Sequence, residues 1–385
     1  MTIVNIDDLR EAASRRLPKL FFDYIDGGSF AEETCRRNRE DFSHLSLRQT
    51  ILANSADPDL STDFLGRQHA LPFMLGPVGF LGLYSRNGEQ KAARAAEAAG
   101  IPFALSTFSI ASLSDVRETS NGILHFQLYV LDDREFAEEL LHAARDANAE
   151  ALHVTVDTAI TAIRERDVRN GFRSLTRLTP RLLASLCRKP AWLFDIAQGG
   201  MPSVRAVRHR PDFGSGALEQ AANLSRRIDK RLAWSDIARL RDRWKRKLVI
   251  KGILSPDDAE KAKAIGVDGV VISNHGGRQL DGAMSTISAL PGIRAAVGPD
   301  FSLMLDGGIR RGSDIIKALG SGADGVMLGR AYTYGLAAAG QAGVAQAIDT
   351  LRREISIALT LMGCGSIEEL KRRGPHFVTK MRTPE

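Results

Sequence analysis

Eight short apolar runs, at residues 72–77, 102–106, 124–129, 152–157, 248–251, 269–273, 302–306 and 325–329, punctuate this chain. Most are separated by amphipathic, Ala-rich stretches such as 88–99, 132–147, 255–265 and 312–319. Runs rich in Val, Ile, Leu and Phe without polar–apolar alternation suit strands buried on both faces. A β-α unit repeated eight times predicts a closed parallel barrel, an α/β (β/α)8 TIM barrel, in preference to an open doubly wound sheet. Residues 5–25 read as two helices broken at Pro18 and stopped by Gly27-Gly28, and 343–361 as a closing helix. The 385 residues are enough for one large α/β domain, and the expected organisation is a single barrel domain over 1–385.

The C-terminal ends of barrel strands surround the active site in this fold. Here they carry Ser106, Tyr129, Asp157, Lys251, Ser273, Asp306 and Arg330. Ser273-Asn274-His275-Gly276-Gly277-Arg278-Gln279-Leu280-Asp281 directly follows the sixth run. Its histidine titrates near neutral pH and can serve as a general base. The two glycines let backbone approach a ligand, and Arg278 offers a planar fork suited to a carboxylate. Asp306-Gly307-Gly308-Ile309-Arg310-Arg311-Gly312 and Gly325-Val326-Met327-Leu328-Gly329-Arg330 place Gly-rich loops after strands seven and eight, where phosphate sites are common. Tight-turn use of the same glycines is the competing reading, and a phosphate belongs equally well to a cofactor or a substrate. Lys251 is suited either to a Schiff base or to stabilising an anionic ring. Gln127 with Tyr129, and Thr155 with Asp157, share a face at the ends of strands three and four. Arg164 lies seven residues past Asp157.

Roughly ninety residues separate the fourth run from the fifth, far more than a barrel connection needs. Residues 164–247 hold 21 Lys+Arg against 8 Asp+Glu, while the rest of the chain is mildly acidic. Within the 171–247 insertion, Leu182, Leu183, Leu186, Trp192, Leu193, Phe194 and Ile196 alternate with Arg181, Arg188 and Lys189, and Arg205, Arg208 and Arg210 follow. Such a stretch suits docking to an anionic membrane surface. A lid packed on the barrel, a subunit contact or a solvated Arg-rich insertion are the alternatives. A nucleic-acid arm ranks below these, so no nucleic-acid partner is expected. No apolar stretch approaches the ~20 residues of a spanning helix. The N-terminus has no basic and apolar leader pattern, and three cysteines without metal-ligand spacing read as reduced thiols. A cytoplasmic protein without a metal, peripheral at most on the inner face of the cell membrane, is the expectation.

Ser273–Asp281 with its His-Gly-Gly-Arg core, Val249-Ile250-Lys251-Gly252, Phe126-Gln127-Leu128-Tyr129, Asp306–Gly312 and Asp23-Tyr24-Ile25-Asp26-Gly27-Gly28 resemble the FMN-dependent L-2-hydroxy acid dehydrogenase and oxidase family. The likeness runs from about residue 8 to 363. It implies that FMN is the cofactor and that His275 is the base, with Asp157 orienting it. Arg278, Tyr24 and Arg164 would hold the substrate carboxylate, and Tyr129 the substrate hydroxyl. Lys251 would sit beside the flavin N1 and C2 carbonyl. Pro77, Val78, Gly79, Ser106, Gln127, Thr155 and Ser273 would line the ring and ribityl chain, and Asp306, Gly307, Gly308, Arg310, Gly329 and Arg330 would take the ribityl and phosphate. No haem domain is expected ahead of the barrel, and the family suggests a homotetramer.

Residues 36–41, 47–49 and 339–343 are most similar to the lactate enzymes of that family, whereas 15–19 and 164–167 also fit its mandelate enzymes. Phe108 and Ile160 are candidates for shaping the side-chain pocket. Oxidation of L-lactate to pyruvate is therefore the leading expectation, with an aromatic 2-hydroxy acid such as (S)-mandelate as runner-up. Gly79 and the Trp-bearing insertion favour a dehydrogenase feeding a membrane quinone over an oxidase that makes hydrogen peroxide. A phosphate-binding isomerase or aldolase using Lys251 ranks below both.

Overall fold

A computed structural model describes residues 1–53, 56–172 and 185–381. Its strands β1 (Phe73–Leu75), β2 (Phe103–Ser106), β3 (Leu124–Leu128), β4 (Ala151–Thr155), β5 (Lys247–Ile253), β6 (Gly269–Ile272), β7 (Ser302–Asp306) and β8 (Gly325–Leu328) form a closed barrel. Each strand pairs in parallel with the next, and β8 closes on β1 through Val326–Phe73 and Leu328–Leu75. The eight expected runs coincide with these strands, although β5 is longer and β4 ends before Asp157.

The sequence period inside the barrel explains why one end is a plug and the other a site. Residues two apart share a face of a strand. One set of positions, including Leu75, Leu105, Phe126, Val154, Ile250 and Leu305, joins the surrounding helices in the main core. The other set points inward: Met74, Ala104, Val249, Val271, Met304 and Met327 cluster with Phe64 and Leu65 of the hairpin Thr62–Phe64/Arg67–His69. Two residues further along the same strands the side chains become Ser106, Lys251, Ser273, Asp306 and Gly329. The interior therefore changes from apolar floor to polar mouth within one repeat of the pleat.

Asn5 caps the helix Ile6–Arg16 by accepting from the Asp8 N–H at 2.9 Å, and Pro18 begins the helix Lys19–Asp26. The helical stretch Arg330–Met362 is two helices meeting at a kink where Ala339 and Gly340 leave helical geometry, and the expected closing helix at 343–361 is the second of them. There Gly340 takes φ +61°, and a Cβ on Gly335 would lie 2.2 Å from the Gly343 carbonyl oxygen. Only glycine permits that approach.

The described part of the insertion packs against the barrel, and several of its basic residues pair with acidic residues of the chain. Arg210 meets Asp133 at 2.6 Å, Arg227 meets Asp132 and Asp212, and Arg243 meets Glu138 at 2.5 Å. The helix Pro190–Ala197 is held by Asp195, which pairs with Arg16 at 2.8 Å. Trp192 is 4% exposed and donates to the Leu83 carbonyl at 2.8 Å, so this residue of the stretch packs on the barrel, as the lid reading has it. Leu193, Phe194 and Met201 remain exposed. Arg181, Leu182 and Leu183 of the same run lie outside the described residues.

Beneath the mouth, His125 Nδ1 and His153 Nε2 meet at 3.0 Å, both fully enclosed. Burial holds the pair well below ordinary histidine values, His153 at about 3, and pulls His69 at the floor down to about 4. Below pH 6.5 the unfolded chain takes up protons that the folded chain refuses. Stability is thus complete above 6.5 and falls as pH drops toward 4, by up to ~1.4 kcal/mol per pH unit for each such histidine. The melting temperature is expected to fall between pH 6.5 and 4.5, more shallowly when His125→Phe and His153→Val are combined. Equal slopes in thermal scans of the two proteins would remove the pair as a cause.

Candidate active site

The mouth of the barrel opens into a cleft of about 1320 Å³, counted to its solvent side. Tyr24, Pro77, Val78, Gly79, Ser106, Tyr129, Arg164, Lys251, His275, Arg278, Asp306, Gly307, Gly308, Arg310, Gly329 and Arg330 all line it. Gln127, Thr155, Asp157 and Ser273 are not among the residues that line it.

His275 follows β6 in a left-handed backbone conformation at φ +60°, succeeded by Gly276 and Gly277 at +65° and +74°. Three such residues in a row turn the chain back across the mouth, a path that glycine makes accessible. The turn is pressed against the N-terminal segment: a Cβ on Gly277 would lie 2.4 Å from the Cys35 nitrogen, and one on Gly28 2.7 Å from the Gly277 oxygen. The imidazole Nδ1 is 3.0 Å from Asp157 Oδ1, and Nε2 is 3.4 Å from the Tyr129 hydroxyl. Asp157 reaches this position because β5 bulges at Lys251/Ile253, where Gly252 takes φ +113° and a Cβ would collide with Asp157.

These groups set one another's charge. Burial pushes His275 below the ordinary histidine value despite the pull of Asp157, so its Nε2 carries a free lone pair at neutral pH. Burial opposes the Asp157 charge, yet His275 and Lys251 hold that carboxyl below the usual range. Asp157 is therefore an anion accepting from Nδ1–H. Burial and the Asp157 charge push the Tyr129 phenol far up, leaving it protonated and able to donate.

Lys251 is buried, donating to Ser273 Oγ at 2.8 Å and lying 3.0 Å from Asp306 Oδ2. Ser273 Oγ in turn donates to the same Asp306 oxygen at 2.7 Å. Burial works against the lysine charge, but Asp306 and Asp157 outweigh it and raise its pKa. A lysine held cationic in this way favours anion stabilisation over Schiff-base chemistry.

On the opposite wall, Arg278 stands 4.8 Å over the Tyr24 ring and donates through Nη1 to the carbonyls of Tyr24 and Gly27 at 2.6 and 2.9 Å. Arg164 lies 5.5 Å from the same ring, 8% exposed, with its Nη1 3.6 Å from the Asp167 carboxylate and no hydrogen bond at Nε or Nη1. Burial and the Arg164 charge pull Arg278 down to about 10, still cationic at neutral pH. Two enclosed guanidinium groups around one ring form a site for an anion. Arg330 is placed differently: it donates to the carbonyls of Ile25, Gly276 and Gly27 at 2.8–2.9 Å, tying the N-terminal segment to the catalytic turn.

The residues present also fit a flavin mononucleotide. Gln127 Nε2, Thr155 Oγ1 and Arg310 Nε are enclosed polar atoms without partners. Gly329 leaves open space where a Cβ would meet only Val78, at 4.0 Å. Unsatisfied buried donors beside a cation and two Gly-rich turns call for an anionic polar ligand.

Some site residues carried no recognisable signal. Phe172 stacks on Tyr24 at 4.1 Å, and Gln279 Nε2 holds the Asp157 and Ile160 carbonyls at 2.8 and 2.9 Å. Asn274 and Asn38 exchange two side-chain hydrogen bonds at 2.8 Å. Phe108 lines the cleft as expected, whereas Ile160 is 69% exposed and does not.

Comparison with known proteins agrees over almost the whole chain. The profile of the FMN-dependent dehydrogenase family matches residues 13–376. L-lactate dehydrogenase of Caulobacter vibrioides is 45% identical over 372 residues, covering 96% of this chain and 97% of that protein. L-lactate dehydrogenase of Pectobacterium atrosepticum is 43% identical over 387 residues, covering 99% of each. Among solved structures, the monotopic membrane protein (S)-mandelate dehydrogenase superposes with TM-score 0.94 at 37% identity, covering 99% of this chain and 100% of its own. Sequence, barrel and site thus converge on one assignment: this chain belongs to the FMN-dependent dehydrogenase family, as an L-2-hydroxy acid dehydrogenase.

Proposed function

We propose that the chain oxidises L-lactate to pyruvate, with His275 as the base, and passes the electrons from FMN to a quinone in the membrane. The observation that carries this reading is that the hydrogen-bonded Asp157–His275–Tyr129 set and the Arg278–Tyr24–Arg164 set meet at one cleft. The relatives named L-lactate dehydrogenase support the substrate. The phenyl rings of Phe80, Phe108 and Phe172 in the cleft wall support the runner-up, an aromatic 2-hydroxy acid.

The substrate carboxylate would lie against Arg278, Arg164 and Tyr24, where its charge relieves the repulsion between the two guanidiniums. Tyr129 would donate to the substrate hydroxyl. Oxidation removes two electrons and two protons, one proton from the α-carbon beside that carboxylate and one from its hydroxyl. His275 Nε2 takes a proton, and Asp157 stabilises the imidazolium that results. FMN, when bound, supplies the two-electron acceptor. Gly307, Gly308, Arg310, Gly329 and Arg330, with Asp306, would hold its phosphate and ribityl chain. Pro77, Val78, Gly79, Ser106, Gln127, Thr155 and Ser273 would hold its ring, with Lys251 supporting negative charge there.

Among the described residues no helix is long and apolar enough to cross a membrane. Exposed Leu193, Phe194 and Met201 support peripheral attachment through the insertion, and the homotetramer rests on the family resemblance, with exposed Ile51, Leu52, Ile357 and Leu361 as candidate contact residues.

Purified protein should be yellow and bleach anaerobically with L-lactate but not D-lactate. His275→Gln should keep the colour and bleach ~10²–10⁴-fold more slowly; reduction at the normal rate would exclude His275 as the base. Because the base must be neutral, the rate constant for reduction should be level through neutrality and decline only below pH 6.5. A decline beginning above pH 7 in stopped-flow traces would contradict the buried, neutral imidazole. Leu193→Ser with Phe194→Ser should lower sedimentation with anionic vesicles more than tenfold while leaving reduction by lactate intact. Equal sedimentation would rule out this helix as the attachment.

A further inference from the structure

Trp192 lines no part of the cleft, yet a continuous set of aromatic contacts leads from it to the substrate wall. Its ring is 5.1 Å from Phe21. Phe21 meets Phe172 edge-on at 6.3 Å, and Phe172 stacks on Tyr24 at 4.1 Å with an interplanar angle of 16°. Phe21 and Tyr24 lie three residues apart on the helix Lys19–Asp26, so they share a face, and Phe172 packs against both. Tyr24 is thereby held between Phe172 and the Arg278 guanidinium. Phe80 closes the group edge-on to Tyr24 and Phe172 at 5.8 and 6.4 Å.

The outer end of this series is fixed rather than loose. Trp192 is anchored by its indole N–H on the Leu83 carbonyl. One turn along, Asp195 accepts from Arg16, from the Ser85 hydroxyl at 3.2 Å and from the Arg86 N–H at 3.3 Å. The helix Pro190–Ala197 is therefore clamped to the barrel at two points, and the ring between them bears on Phe21.

We propose that Trp192 is a positioning residue for substrate binding: through Phe21 and Phe172 it fixes the Tyr24 ring against Arg278, and so sets affinity for the 2-hydroxy acid carboxylate. This rests on the reading that Tyr24 and Arg278 hold that carboxylate. Close-packed rings transmit displacement because a void at one end is filled only by moving the next ring. The carboxylate is held alike in the ground state and the transition state, so a displaced wall raises KM and leaves kcat in place.

The test uses FMN-loaded protein and whichever L-2-hydroxy acid bleaches the wild type. Trp192→Ala should raise KM about tenfold, and should raise the Kd of the matching 2-oxo acid, read from the flavin absorbance, by the same factor. Its kcat should stay within twofold, and Trp192→Phe should restore KM to within about threefold. Phe172→Leu should raise KM similarly, and the double variant should be no worse than either single one, the mark of shared action. Phe21→Leu breaks the series without touching the Leu83 hydrogen bond and should raise KM at least threefold, which covers the case of a poorly folded Trp192→Ala. A lowered melting temperature with unchanged KM and Kd in Trp192→Ala, or an unchanged KM in Phe21→Leu, would overturn the proposal. Failure of every L-2-hydroxy acid to bleach the wild type would instead overturn the functional reading beneath it.

Discussion

The mouth of this barrel depends on a buried lysine kept charged. Lys251 would give up its proton if enclosed alone, because desolvation favours the neutral amine. Asp306 at 3.0 Å, supported by Asp157, holds it as a cation. That cation in turn helps keep Asp157 ionised, and an ionised Asp157 fixes the tautomer of His275. The same positive charge acts on His275 itself in the opposite sense, helping burial to keep the imidazole neutral. A base with a free lone pair beside a permanent anion is the outcome, and it follows from where one amine is buried.

The strand periodicity made most of this legible in advance. Pairs such as Val249/Lys251, Val271/Ser273 and Met304/Asp306 show within three residues that a strand passes from barrel floor to barrel mouth. Short runs and turn glycines located all eight strands, since a strand buried on both faces leaves few other patterns available. What stayed hidden depends on partners distant in sequence. Asn38 with Asn274, and Phe172 with Tyr24, meet across more than a hundred residues, and neither member of either pair is unusual by itself. The insertion is ambiguous by composition for a related reason. A surplus of arginines has the same composition whether it faces lipid headgroups or Asp132, Asp133 and Glu138 of the same chain. Trp192 is likewise compatible with a bilayer or with Phe21, and only the position of the Leu83 carbonyl decides between them.

The N-terminal segment that carries Tyr24 and the turn that carries His275 and Arg278 lie about 250 residues apart in sequence, and guanidinium–carbonyl hydrogen bonds join them. Arg278 donates to Tyr24 and Gly27, and Arg330 to Ile25, Gly27 and Gly276. Charged donors form the stronger class of hydrogen bond, and an arginine fork meets several acceptors without reorganising. The glycines at 28 and 277 are needed for the same reason, since any side chain there would separate the two segments. The spacing between Tyr24 and the His275 turn is thus set by firm contacts and not by a flexible link. In this molecule it rests on two arginines, two glycines and a stack of rings, all outside the strands that carry the base. In the proposed function the turn after β6 brings both His275 and Arg278 to the mouth, and the N-terminal segment adds Tyr24 beside that guanidinium.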